Sequence, residues 1–168
     1  MMNRSTCPGC GLTMPADQRA SYDGYYHSSP ECWSVYTEVV GTEFSNAILF
    51  GQIHQLTVDA YAVQHAGGPH PDKSVAVHLS GLYLVLERGL APPMVAPQLQ
   101  RLAGRVKAWP HFPAPEYRGS LTVFDVGLAE SMMDHVARSR KWAQAVWELW
   151  SAYHKDIASL LQDHFKVD

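Results

Sequence analysis

Three cysteines near the N-terminus are the residues of this sequence best suited to bind a metal. Cys7 and Cys10 belong to a Cys-Pro-Gly-Cys-Gly motif, and Cys32 follows further along the chain. Two thiolates separated by two residues can hold one tetrahedral ion, and a glycine after the second cysteine allows a tight turn behind it. A structural zinc site needs four ligands, so these cysteines leave one ligand to be found. A redox-active pair and a site that no longer binds metal are the alternatives, although the segment lacks the strand and helix of a thioredoxin-like motif.

The surroundings of these cysteines resemble the TRASH-type and related treble-clef zinc fingers. In those fingers, Cys-Pro-x-Cys-Gly is followed by the box Tyr-Tyr-Phe-Cys-Ser-Pro-Glu-Cys, and residues 25–32 of this chain read YYHSSPEC. The resemblance implies a structural zinc bound by Cys7, Cys10 and Cys32. The third cysteine of the box falls on Ser28 here, so the neighbouring His27 becomes the local candidate for the fourth ligand. A distant histidine from the rest of the chain is the other candidate.

Histidines form a second group of candidate ligands, since the chain has nine of them. His54 and His65 fall on one face of a predicted helix, but at 1.5 Å per residue they lie about 16 Å apart along its axis. One ion therefore cannot bind both directly and would need a partner such as His78 on the next helix. The sequence thus predicts a candidate second metal site among His54, His65 and His78. Bundles with several inward histidines resemble the DinB-type metal-dependent bundles in helix number and histidine content.

The turn after this helix is dense in side chains that can do chemistry. His65 and His70 could act as base or ligand, while Asp72 and Lys73 lie at the start of the next helix, where free backbone N–H groups favour anions. These four residues are the candidate catalytic residues of a metal-dependent enzyme. The alternative is that they only cap two helices and form the turn between them.

The elements that must position these residues are mainly helical. We expect a mainly α protein with a small treble-clef-like zinc knuckle in residues 1–40, followed by a bundle of about five helices in residues 41–168. Apolar spacing and helix-capping signals predict helices over 31–40, 45–66, 71–88 and 92–106. A further helical region, 125–164, is expected to break near Ser139, and Gly41 is expected to end the first helix. In the 45–66 helix the predicted apolar face includes Phe50, His54 and Val58.

Composition limits the classes of function. The chain has 168 residues, 46% of them hydrophobic, and a net charge of −3. This content of apolar residues suits a folded domain, and the absence of a basic surplus makes nucleic acid an unlikely partner. No apolar stretch approaches the roughly 18 residues of a membrane span. The odd number of cysteines and the polar N-terminus lead us to expect a cytoplasmic protein without a membrane anchor.

Taken whole, the sequence resembles an uncharacterised bacterial family of unknown function. The shared features are the Cys-Pro-x-Cys-Gly motif, the Ser-Pro-Glu-Cys-Trp segment at 29–33 and the His-Gln-Leu-Thr-Val-Asp segment at 54–59. This resemblance implies no activity. Three hypotheses follow: a zinc-binding protein with a structural ion that supports a helical binding domain, a metal-dependent enzyme with a histidine-rich site, and an adaptor. The partner would be a protein or a small molecule.

Overall fold

Helices make up most of the protein, whose computed structural model describes residues 3–165. A short antiparallel hairpin comes first, with β1 at Arg4–Thr6 and β2 at Thr13–Pro15. Seven α-helices follow in this part of the chain: α1 Pro30–Phe44, α2 Ala47–Gln64, α3 Asp72–Leu86, α4 Val95–Arg105, α5 Val123–Gly127, α6 Met132–Leu149 and α7 His154–His164. The predicted mainly α fold, with a small cysteine-bearing segment at its N-terminus, is confirmed. None of these helices is long and apolar enough to cross a membrane.

The start of α1 follows the capping signals in the sequence. The Ser29 hydroxyl accepts a hydrogen bond from the Cys32 backbone N–H at 3.2 Å, and Pro30 occupies the first turn, where an N–H is not needed. Gly41 does not end this helix, contrary to the prediction. The helix continues to Phe44 because the buried Glu43 is held in its last turn by three side chains. Those bonds outweigh the roughly 1 kcal/mol that a glycine costs inside a helix.

The central helix, α2, packs against α1, α3 and α6. Asn46 caps it by accepting hydrogen bonds from the backbone N–H groups of Ile48 and Leu49, both at 3.0 Å. The predicted apolar face is wrong in part, since Phe50 is 40% exposed and His54 lies at the edge of the core. The buried residues of α2 include Leu49, Ile53, Leu56, Ala60 and Val63.

The C-terminal helices break at a different place from the one predicted. α6 continues through Ser139, and the chain bends only after Leu149. The bend is held by tertiary contacts, because the His154 ring stacks on Trp147 with ring centroids 3.8 Å apart. His154 Nε2 also donates a hydrogen bond to the Trp147 carbonyl at 2.9 Å. No glycine or proline marks this bend, so the sequence pattern could not locate it.

Candidate metal centre

Three cysteines and one histidine meet in a single buried cluster. The Sγ atoms of Cys7, Cys10 and Cys32 and a ring nitrogen of His65 all lie within 4.8 Å of one another. None of the four residues is more than 5% exposed. The Sγ atoms of Cys10 and Cys32 are 3.7 Å apart, and Cys32 Sγ is 3.4 Å from His65 Nε2. We call these four residues the Cys3His cluster.

These spacings can be compared with those of a tetrahedral zinc site. Zinc–sulfur bonds of about 2.3 Å and a zinc–nitrogen bond of about 2.05 Å give tetrahedral edges of about 3.8 Å between sulfurs and about 3.6 Å between sulfur and nitrogen. The observed 3.7 and 3.4 Å are close to both values. A disulfide would need a sulfur–sulfur distance of about 2.05 Å, and all three cysteines are free thiols. Two of the six distances between donor atoms thus match a tetrahedral ion, and the other four lie within 4.8 Å, so the cluster could hold one metal ion.

The hairpin places two of the sulfurs. Cys7 follows β1 directly, and Cys10 lies in the turn that leads to β2. The turn is closed by hydrogen bonds from the Gly11 N–H to the Cys7 carbonyl and from the Cys7 N–H to the Leu12 carbonyl, at 3.0 and 2.8 Å. Gly11 has a φ of 77°, which glycine adopts without strain. The glycine of Cys-Pro-Gly-Cys-Gly thus turns the chain behind the cluster, as the motif suggests.

The fourth member of the cluster comes from the end of α2. His65 is the C-cap residue of that helix, and its Nδ1 lies 2.7 Å from the Tyr61 carbonyl. A carbonyl oxygen only accepts, so Nδ1 carries a proton and Nε2 is the nitrogen directed at the sulfurs. Tyr61 also stacks on the imidazole, with ring centroids 4.0 Å apart. Such a hydrogen bond from the second nitrogen is the usual way in which a metal-binding histidine is oriented.

The structure places the predicted fourth ligand, His27, outside the cluster. Its backbone N–H donates to the His65 carbonyl at 3.0 Å, while its ring lies against Gly68. The side chain of Ser28 points towards the sulfurs instead. Its hydroxyl lies 3.8 Å from Cys7 Sγ and 2.6 Å from the Tyr61 hydroxyl. The imidazole of the preceding residue is therefore turned away. The position that is a cysteine in the resembled fingers thus carries a hydroxyl beside the cluster, and the histidine comes from elsewhere in the chain.

The charges within the Cys3His cluster influence one another. Burial alone would lower the pKa of His65, but hydrogen bonds and charge from Cys32 and Cys7 raise it to about 9. Hydrogen bonds from Cys10 and Cys32 lower the pKa of the Cys7 thiol. When no metal is bound, both shifts favour a thiolate on Cys7 beside a protonated His65. A divalent cation takes the place of such protons, and its affinity for a site of this kind rises with pH.

Two residues that the sequence analysis did not single out tie the cluster to the bundle. Gln64, which precedes His65, donates hydrogen bonds to the carbonyls of Arg118 and Leu121, both at 2.8 Å. Its carbonyl oxygen accepts from Trp142 Nε1 at 3.0 Å. The Arg118 guanidinium donates to the Gln64 backbone carbonyl at 2.8 Å. Nothing in the spacing of these residues predicts the contacts, because they join elements more than fifty positions apart.

The histidines proposed for a second metal site do not converge. His54 Nδ1 donates to the buried Glu43 carboxylate and His78 Nδ1 donates to the buried Asp59 carboxylate, both at 2.7 Å. His65 belongs to the Cys3His cluster instead. That cluster is the only group of three or more closely spaced metal-ligand side chains found in residues 3–165.

The candidate catalytic residues of the turn also have separate partners. His70 donates from Nδ1 to the His65 carbonyl at 3.2 Å, and its Nε2 accepts from the Ser74 hydroxyl at 2.7 Å. Asp72 is exposed and pairs with His111 at 2.7 Å. Lys73 Nζ lies 5.9 Å from the centre of the Trp109 ring. The four side chains, His65 included, thus do not point to one reacting centre.

One protein-family model covers most of this chain. The model of a family of unknown function, DUF5946, matches residues 5–151, which include all four residues of the Cys3His cluster. No curated protein and no solved structure matches the chain.

Proposed function

We propose that this chain, which belongs to the DUF5946 family of unknown function, is a zinc-binding protein in which the ion is structural. The proposed ligands are Cys7, Cys10, Cys32 and His65. The ion would hold the N-terminal hairpin and the first turn of α1 against the end of α2, and so support a helical binding domain. The hairpin and the helix start correspond to a treble-clef-like knuckle whose fourth ligand comes from a second helix. Reduced thiols are stable in a reducing compartment, so we place the protein in the cytoplasm.

The observation that carries this proposal is a group of four buried donor atoms within 4.8 Å of one another, two of whose distances are close to tetrahedral edges. Three thiolates and one imidazole form a donor set typical of structural zinc sites. A catalytic zinc keeps a coordination position open for water or substrate. Here all four positions would be filled by side chains that are at most 5% exposed. Burial and a complete ligand set favour a structural role over catalysis.

The N-terminal segment needs such a crosslink. Residues 3–29 contain two strands of three residues each and no helix, so they bury little apolar surface of their own. Structural zinc contributes on the order of 10 kcal/mol to the folding of small units of this kind. Removal of the metal would therefore release the hairpin from α2 before the bundle itself unfolds.

Elemental analysis of protein purified without added metal tests the proposal. We expect about one equivalent of zinc per chain, and its loss in His65→Ala, because three ligands bind zinc far more weakly than four. His111→Ala is the matched control, since His111 is exposed and pairs only with Asp72. Replacement of zinc by Co²⁺ should give the visible absorption of a tetrahedral thiolate site. A zinc content below about half an equivalent in the wild type, or full retention in His65→Ala, would contradict the proposal.

A further inference from the structure

A groove lies between the N-terminal hairpin, α1 and α5, on a part of the surface that the Cys3His cluster does not use. Its walls come from the segment 14–20, from α1 and from the end of α5, and it encloses about 580 Å³. That volume is within the range of roughly 300–1,000 Å³ that is usual for ligand sites. We call it the α1–α5 groove. Its main contact residues are Met14, Val35, Glu38, Phe124, Gly127 and Leu128.

The groove presents apolar side chains to solvent. Leu128 is 52% exposed and Phe124 is 39% exposed. Met14 and Val35, which are partly buried, also line the groove. Large apolar side chains grouped on a surface mark an interaction site more often than single ones do. Methionines in particular adapt to different apolar partners.

The charges that line the groove are mostly negative. Asp17, Glu31 and Glu38 contribute carboxylates, and Arg19 contributes the one guanidinium of the lining. Arg19 is already paired with Asp17 at 3.2 Å. A hydrogen bond from the Ser5 hydroxyl lowers the pKa of Glu31, but this carboxylate is only 8% exposed and also accepts a hydrogen bond from the Asp17 backbone N–H. The lining thus carries two more negative than positive charges, and Glu38 is exposed.

We infer that the α1–α5 groove binds a peptide segment of a partner protein that carries apolar side chains next to lysine or arginine. The apolar lining would take the anchors, and the exposed Glu38 would attract the cationic residues. A second copy of this chain is a poorer fit, because two acidic linings would repel each other. A phosphate-bearing ligand is disfavoured for the same reason. The inference rests on the proposed function in one respect, since the metal holds the hairpin wall of the groove.

Synthetic peptides of equal length provide the test. Fluorescence anisotropy would follow binding of a labelled leucine–lysine peptide, a leucine–glutamate peptide and a serine–lysine peptide to the full chain. We expect saturable one-to-one binding of the leucine–lysine peptide, at least about tenfold tighter than that of the other two, which is about 1.4 kcal/mol. Glu38→Lys should weaken it about fivefold or more through charge reversal, and Leu128→Ser should weaken it similarly through loss of an anchor. Glu148→Lys is the matched control, since Glu148 is exposed on α6 and does not line the groove.

Equal binding of the serine–lysine peptide, or equal weakening by Glu148→Lys, would overturn the inference, because either result would mean attraction by net charge alone. Self-association that Leu128→Ser abolishes would overturn it in favour of a second copy. Zinc is to be measured on the same samples, which separates the two proposals. A zinc-loaded chain that binds none of the peptides refutes the groove only, whereas a zinc-free chain that still binds the leucine–lysine peptide refutes the structural metal only.

Discussion

A glycine in α3 is predicted to be essential for the position of a buried carboxylate. The Asp59 side chain is fully buried and accepts hydrogen bonds from His78 Nδ1 at 2.7 Å and from Gln55 Nε2 at 3.0 Å. A Cβ atom placed on Gly81 would overlap this carboxylate. Asp59 cannot move aside without breaking those bonds. Gly81→Ala should therefore destabilise the fold, although alanine is the better helix former.

The size of the effect follows from opposing contributions. Alanine gains about 0.5–1 kcal/mol over glycine inside a helix. Overpacking a buried position costs about 1–3 kcal/mol, and leaving a buried polar group without its hydrogen bond costs about 1–3 kcal/mol. We expect a net loss of about 2–3 kcal/mol, because the last two costs overlap. For a chain of this length the loss corresponds to a decrease in Tm of about 4–12 °C.

Thermal and urea unfolding followed by circular dichroism measure this loss. Gly51→Ala in α2 is the matched control, because a Cβ there meets no atom within 4 Å, and it should stabilise the chain by about 0.5–1 kcal/mol. In an Asp59→Ala background the space beside residue 81 is free, so Gly81→Ala should then cost nothing. A Gly81→Ala chain with a Tm at or above that of the wild type would refute the reasoning.

Three further predictions concern the cluster and its supports. Gly9→Ala would press a methyl group against the His27 carbonyl and the His65 ring. It should weaken the proposed zinc binding about 10–100-fold in a competition with a chelator, and an unchanged affinity would contradict this close packing. Burial lowers the pKa of His70 from 6.5 to about 4, so the unfolded chain takes up the proton first and stability falls as the pH decreases from 6.5 to 4. Urea unfolding across that pH range should show a smaller decrease in the free energy of unfolding for His70→Gln than for the wild type. Trp142→Phe removes the hydrogen-bond donor to the Gln64 side-chain oxygen and should lower the free energy of unfolding in urea by about 1–3 kcal/mol. An unchanged free energy of unfolding would mean that another group donates to this oxygen.

Local sequence signals predicted the turns and helix ends that depend on neighbouring residues. The Cys-Pro-Gly-Cys-Gly motif marked the turn of the hairpin, and Ser29 with Pro30 marked the start of α1 that carries Cys32. α2 ends at Gln64, two residues before the predicted end of the 45–66 helix, and the glycines at 67 and 68, both with positive φ, follow in the turn. Each of these features is decided within a few residues of backbone. They are the features that propensity and capping rules describe.

Contacts between distant elements determine the features of the fold and of the site that the sequence did not predict. α2 is apolar on most of its circumference, so spacing could not tell the side of Ile53 from that of Phe50. The three histidines of the expected second site were equivalent in sequence, and only the packing of the hairpin against the end of α2 distinguishes His65. Glu43 is an acidic residue near the end of a helix, a position that is usually solvated. Its burial depends on His135, which lies 92 residues further along the chain.

The separation of the four cluster residues along the chain affects how the protein is made. Cys7, Cys10 and Cys32 leave the ribosome well before His65, which must wait for the whole of α2. During synthesis, the nascent segment therefore exposes three thiols without the imidazole that completes the proposed ligand set. Oxidation or capture of a thiophilic ion such as Cu(I) competes with correct assembly in that interval. The proposed zinc site would therefore assemble correctly only if the translating chains stay reduced and zinc is available.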